Sequence, residues 1–235
     1  MNKNRRALTA LLAMAAMGGA SIALAQALPA ITEGGPPQPL HVPAMPLATF
    51  TVATPGEFQI DAMGGTADAQ LVLLSGESTV AQDADSGDGV DARIVAFLAP
   101  GAYGVRVYEW QGRAMSARVG VTALAPMTAV ASIAPGAPPA VVSVPAGSSP
   151  REGSVEVTLT VAAAGNFRLD AVTADSSIDP ELMLIQAGAL LASDSDSGDG
   201  TNAQIVHQLA PGVYTLRVRD WINRAGTITV SAVAQ

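Results

Sequence analysis

The string Asp83-Ala84-Asp85-Ser86-Gly87-Asp88-Gly89 concentrates carboxylates in one short segment, and it returns as Asp194-Ser195-Asp196-Ser197-Gly198-Asp199-Gly200. Asp91 follows the first string and Asn202 the second. Aspartates at alternating positions, with glycine for sharp turns, are the hard-oxygen supply that Ca²⁺ prefers, because about six to eight oxygens must converge on it. Asp68 and Asp179, each just ahead of a leucine-rich segment, are candidates to add ligands from a second loop. The candidate metal set is Asp68, Asp83, Asp85, Asp88 and Asp91 in one half, and Asp179, Asp194, Asp196, Asp199 and Asn202 in the other, holding a structural Ca²⁺. The order departs from an EF-hand loop, with glycine at its fifth position and Ile94 or Ile205 at its twelfth. The competing reading is a metal-free turn, in which Asp, Ser and Gly satisfy the backbone through side-chain hydrogen bonds.

Trp110 with Arg113, and Trp221 with Arg224, form a second duplicated pair. A tryptophan beside an arginine can stack on a sugar ring or anchor a peptide, so these four are the candidate ligand-binding residues. The more ordinary reading has each tryptophan capping the end of a core and each arginine paired with a nearby acid. Asp85-Ser86-Gly87 and Asp196-Ser197-Gly198 also spell the triplet of aspartic proteases. That chemistry needs two coupled aspartates buried at strand ends, whereas these sit among further aspartates in a wet loop. His41 and His207 are the only histidines and do not recur at equivalent positions, and there is no cysteine, so zinc lacks its preferred ligands. A Ser, His and Asp triad can assemble from distant positions, but no nucleophile-elbow serine occurs and nothing in the order of residues selects one. The chain reads as non-enzymatic.

The elements that must position these residues are written twice. After each acidic string comes Ala92, Ile94, Val95, Leu98-Ala99-Pro100-Gly101, Tyr103, Arg106, Val107, or the same order as Ala203, Ile205, Val206, Leu209-Ala210-Pro211-Gly212, Tyr214, Arg217, Val218. Each repeat must then close a core of its own. Phe58, Ile60 and Ala62 alternate with polar residues, as do Tyr103, Val105 and Val107, and Tyr214, Leu216 and Val218. This is the period of half-buried strands. Leu71 to Leu74 is apolar on both faces, as a central strand requires. The fold class is all-β: two tandem antiparallel β-sandwich, jelly-roll-like domains after an N-terminal signal peptide. The boundaries are a signal peptide at 1–27, repeat 1 at 35–124, an Ala/Pro-rich linker at 125–136 and repeat 2 at 137–235. Each repeat opens at its double proline, Pro36-Pro37 or Pro138-Pro139.

The export signal rests on Lys3, Arg5 and Arg6 ahead of an apolar stretch from Ala7 to about Ala20, with small residues for cleavage at Ala23-Leu24-Ala25 or Ala25-Gln26-Ala27. Its removal leaves nine arginines against 20 acids and no lysine, where the whole chain carries a formal charge of −8. Nucleic acid and anionic membranes demand a basic face and are excluded as partners. After cleavage no membrane insertion is expected, and the destination is the periplasm or the medium. Edge strands leave the oligomeric state open.

A Phe-centred strand, an Asp before a Leu-rich strand, an Asp-x-Asp-x-Gly loop and then Leu-x-Pro-Gly-x-Tyr-x-x-x-Val occur here as Phe58, Asp68, Asp83 to Gly89 and Leu98 to Val107, and again as Phe167, Asp179, Asp194 to Gly200 and Leu209 to Val218. This order resembles the bacterial pre-peptidase C-terminal domain, repeated as a tandem pair. The resemblance implies β-sandwich modules of the kind attached to secreted peptidases, some of which bind calcium or polymers such as collagen. These 235 residues hold no peptidase domain. The expected partner is an extracellular or envelope polymer or protein, with a separately encoded secreted peptidase, assisted or inhibited by this chain, as the alternative.

Overall fold

A computed structural model describes residues 30–42 and 47–235. The expected signal segment, 1–27, lies outside the described residues. The first repeat contains eight strands: β1 (Gln38–Val42), β2 (Leu47–Val52), β3 (Gly56–Met63), β4 (Ala69–Ser75), β5 (Ser78–Asp83), β6 (Ala92–Leu98), β7 (Gly101–Glu109) and β8 (Met115–Ala123). They form two antiparallel sheets of order β1-β8-β3-β6 and β2-β7-β4-β5. Apart from the β4–β5 hairpin, successive strands alternate between the sheets, in the two-Greek-key order of a jelly roll.

The second repeat follows the same path through β10 (Ala140–Val144), β11 (Ser154–Val161), β12 (Gly165–Val172), β13 (Pro180–Gln186), β14 (Ala189–Asp194), β15 (Ala203–Leu209), β16 (Gly212–Asp220) and β17 (Gly226–Ala234). Its sheets are β10-β17-β12-β15 and β14-β13-β16-β11, and a further strand, β9 (Ala129–Ile133), pairs parallel to β11 at the edge of the latter. Both repeats are thus all-β sandwiches, antiparallel apart from the edge strand β9. β9 lies within the span read as a linker, so part of that segment belongs to the second sandwich. The first repeat has a rudiment of the same strand, an isolated parallel bridge from Ala30 to Thr49. Ile31 and Ile133 enter the two cores from these segments. Each repeat therefore begins a few residues before its double proline, and the shared Ile-x-x-Gly-x-Pro-Pro order is its sequence signal.

The two cores are separate. Phe50, Phe58, Ile60, Leu71, Leu73, Tyr103, Val105 and Val107 are among the buried residues of one, and Leu159, Phe167, Leu169, Leu182, Leu184, Tyr214, Leu216 and Val218 among those of the other. Burying each such aliphatic or aromatic side chain stabilises by about 1.5–3 kcal/mol, which a chain without disulfides must rely on. The alternation along β3 and β7 and the doubly apolar β4 match the expected strands. The Leu-Ala-Pro-Gly-x-Tyr segments make the corner between the sheets. The Tyr103 hydroxyl donates to the Ala99 carbonyl at 2.9 Å and the Tyr214 hydroxyl to Ala210 at 2.9 Å, tying each tyrosine to the turn four residues before it.

Candidate functional site: the acidic end of each sandwich

Three connections meet at one end of each sandwich: the lead into β4 or β13, the acidic loop, and the turn after β7 or β16. In the first repeat the Ala69 amide donates to Val90 in the acidic loop, and the Trp110 amide donates to the Asp68 carbonyl at 3.0 Å. In the second, the Trp221 amide donates to Asp179 at 2.8 Å. The duplicated acidic residues and the duplicated tryptophans thus share a neighbourhood, which the linear order does not announce.

The acidic loops are built as hydrogen-bonded turns. The Asp83 carboxylate accepts from the Ser86 amide at 3.0 Å, the Ser86 hydroxyl at 2.5 Å and the Arg93 amide at 2.9 Å. Asp194 repeats this with Ser197 and the Gln204 amide. These bonds close the loop across its mouth, from the end of β5 to the start of β6. Asp91 Oδ1 accepts from the Gly64 amide at 2.8 Å, and Asn202 Oδ1 from the Thr173 amide at 2.9 Å, so the Asp-to-Asn exchange between repeats keeps the acceptor that matters. Gly87 and Gly198 have no room for a side chain, since a Cβ would lie 2.7 Å from the Asp91 carbonyl oxygen or 2.6 Å from that of Asn202.

Asp85, Asp88, Asp196 and Asp199 are exposed on the outside of these turns. Asp85 and Asp196 therefore lack the buried strand-end setting of an aspartic-protease pair. Asp68 accepts from the Gln70 side chain at 3.1 Å. Among the described residues, no three Asp, Glu, His or Cys side chains converge as a ready metal-ligand group. The residues named from the sequence thus share one end of each sandwich without forming one coordination sphere. Asp179 departs from its counterpart: its buried Oδ1 has no hydrogen-bond partner. Burial, and then the charges of Asp196 and Asp220, push its carboxyl above the ordinary value.

The tryptophan turns are organised by residues the sequence reading passed over, Glu109 and Asp220, the last residues of β7 and β16. Both are carboxylates buried among polar donors. Glu109 accepts from the amides of Gln111 and Arg113 and from the Arg113 guanidinium. Asp220 is fully buried and accepts from the Asp179, Ile222 and Arg224 amides and from Arg224 Nε at 2.9 Å and Nη2 at 2.7 Å. The Arg113 side chain and the turn amides hold Glu109 at about 2. For Asp220 burial pushes upward, but the Arg224 and backbone hydrogen bonds outweigh it and hold the group at about 2 as well. A signal was available in the sequence, since an acid recurs immediately before each tryptophan and four residues before each arginine.

The ordinary reading of Trp110 and Trp221 is thus half right. Their arginines do pair with a nearby acid, but the indoles do not cap the cores: they stand 53% and 54% exposed at the turn tips. The Arg219 guanidinium lies 5.6 Å from the Trp221 ring centroid while its Nη1 donates to the Trp221 carbonyl and to Asn223 Oδ1. Trp221 is thereby steadied by a cation held against its ring.

The sheets and their order define the class of molecule, a tandem pair of jelly-roll β-sandwiches. Among solved structures, the chain is similar to the pre-peptidase C-terminal domain of a Bacillus anthracis collagenase, at 20% identity over 46% of this chain and 99% of that one, with a TM-score of 0.37. It is also similar to the CUB1-EGF-CUB2 domains of human MASP-1/3, at 8% identity over 83% of this chain and 98% of that one, TM-score 0.25, and of rat MASP-1, at 5% identity over 82% and 96%, TM-score 0.24. At these scores the likenesses establish neither a family nor a function. No family model and no curated protein matches the sequence.

Proposed function

We propose that this chain is an exported, non-catalytic binding module that engages an extracellular or envelope polymer or protein through its two tryptophan turns. The observation that carries this reading is the pair of equally exposed indoles, each set on a turn that a buried carboxylate and an arginine hold rigid. An exposed aromatic on a fixed turn is a ready anchor, because little side-chain freedom is lost when it binds. The acidic surroundings turn away nucleic acid and anionic membrane. Among the described residues no helix is long and apolar enough to cross a membrane.

The test is retention of the purified protein on insoluble chitin, cellulose, peptidoglycan and collagen, with Trp110→Ala and Trp221→Ala beside it. Binding is expected to fall at least about tenfold in each variant, as for a central aromatic anchor. Equal retention of native protein and the double variant would sink the reading. Copurification with a host protease instead would favour the peptidase-partner alternative.

Calcium belongs to the same proposal as a structural ion, and the support for it lies in the second repeat, where the unpartnered oxygen of Asp179 and the neighbouring charge of Asp196 would gain from a cation. Titration of the chelator-stripped protein should raise its Tm, and Asp179→Asn should abolish that rise. In chelator the same variant should melt slightly above the native chain, because a carboxyl whose charge is disfavoured in the folded state has been neutralised. A native melt indifferent to calcium would leave the loops as turns closed by their own hydrogen bonds.

A further inference from the structure

The repeats agree at their acidic ends and differ where they touch one another. Arg217, on β16 of the second sandwich, is only 5% exposed. Its Nη2 donates to Glu156 Oε1 at 2.8 Å within its own sheet and to Glu57 Oε2 at 3.0 Å in the first sandwich. Glu57 is also buried, and Arg151 reaches it as a second cation. Arg151 further donates to the Ala125 carbonyl, at the end of the first repeat. The Arg217 guanidinium lies 4.9 Å from the centroid of Phe97, again in the first sandwich. Beside this cluster, Gly188 adopts φ +82°, and a Cβ there would lie 2.5 Å from the Pro55 carbonyl oxygen.

Strand register shows which of these residues are special to the joint. Arg217 has a counterpart in Arg106, since Glu156 pairs with Arg217 in one repeat as Leu47 pairs with Arg106 in the other. Its partners have none. Glu57 corresponds to Asn166, Phe97 to Gln208, Glu156 to Leu47, and Gly188 to Glu77. Arg151 lies in the β10–β11 connection, residues 145–153, which is longer than the 43–46 connection between β1 and β2. The surface of the first sandwich that receives Arg217 is absent from the second, so the contact is head-to-tail and ends after two domains.

We propose that this joint locks the two sandwiches into one rigid body that presents Trp110 and Trp221 together to a neutral glycan with a repeating epitope. The ligand half of the proposal rests on the binding reading above. Two like anchors on a fixed frame fit a ligand that repeats, because once one turn is bound the second binds at high effective concentration. The chemistry around each indole suits hydroxyl groups. Arg113 and Arg224 each spend Nε and Nη2 on their acid. Among the described residues Nη1 of each has no protein acceptor, and in the first repeat the Asp68 carboxylate lies near Arg113. A sugar hydroxyl can both donate and accept, and a sugar ring offers an apolar face to the indole.

The joint is tested by distance. The chain has no cysteine, so Thr79→Cys and Val206→Cys, one exposed site in each sandwich, take a pair of spin labels without background. The native protein should give one narrow distance distribution. It should broaden in Glu57→Asn, which installs the residue of the second repeat, and in Gly188→Glu, which installs that of the first. Circular dichroism melts check that both variants remain folded. A broad distribution in the native protein, or no broadening in folded variants, overturns the rigid joint. Binding to particulate chitin tests the remainder. Glu57→Asn, with both tryptophans intact, should lose at least about tenfold in retention, as avidity fails. Unchanged retention in a variant whose distances have broadened overturns bivalent presentation. If the native protein is not retained, the glycan ligand is overturned, and the joint stands or falls on the distances.

Discussion

Asp220 shows how one side chain can decide what its neighbours do. With no exposed surface, it collects the turn amides and both faces of the Arg224 fork, and so fixes the turn from which Trp221 projects. Asp220→Asn keeps the shape but loses the charge that these donors need. A loss of about 2 kcal/mol in unfolding free energy is expected, read by urea denaturation, since a charge-assisted hydrogen-bond set is left partly unmet. The pH dependence has the same origin. Glu109 and Asp220 are held at about 2 when folded, below the ordinary carboxylate value near 4. Their contribution is complete above about pH 4 and is lost as pH falls from about 4 toward 2. The Tm should therefore drop across that window, and by less in Asp220→Asn. Residue chemistry was partly legible in advance, because Arg113 and Arg224 were expected to pair with acids. The partners were not identified, since a buried acid and an exposed one look alike in a sequence.

At the scale of elements, the acidic loop illustrates how composition underdetermines chemistry. Alternating aspartates are equally good as ligands and as turn acceptors, and which use prevails depends on where their oxygens point. In both repeats the leading aspartate turns inward onto Ser86 and Arg93, or Ser197 and Gln204. The glycines follow from the same closure. Gly198→Ala should cost about 1–3 kcal/mol, because the added Cβ meets the Asn202 carbonyl oxygen and the turn must open. A thermal melt checks it, and an unchanged Tm would mean that the loop is not closed as described. The strands were far more legible. Period-two alternation along β3 and β7 names the buried face directly, whereas β9 hides in an Ala- and Pro-rich segment whose composition resembles a connector.

For the whole molecule, the joint converts two similar domains into one asymmetric object. Removing one member of a buried charge cluster strands the others, a loss of about 3–5 kcal/mol when it cannot be relieved by hydration. Here it can be relieved by parting the sandwiches. Native protein is expected to unfold in urea in a single transition, with the sandwiches coupled through Glu57 and Arg217, and Glu57→Gln in two. Coincident single transitions in both proteins would show that the joint carries no coupling energy.

Sequence alone carried the duplication, the all-β class, the buried face of most strands and the acidic net charge. Each of these is a matter of periodicity or composition, which neighbours along the chain reveal. It took the folded arrangement of strands to bring Asp68, the acidic loop and the Trp110 turn to one end of a sandwich, to set Glu109 and Asp220 beneath those turns, and to join Glu57 to Arg217. These depend on strand order and on burial. Contacts between residues far apart in sequence leave no local periodicity, and the residues that form the joint are the ones that repetition does not predict.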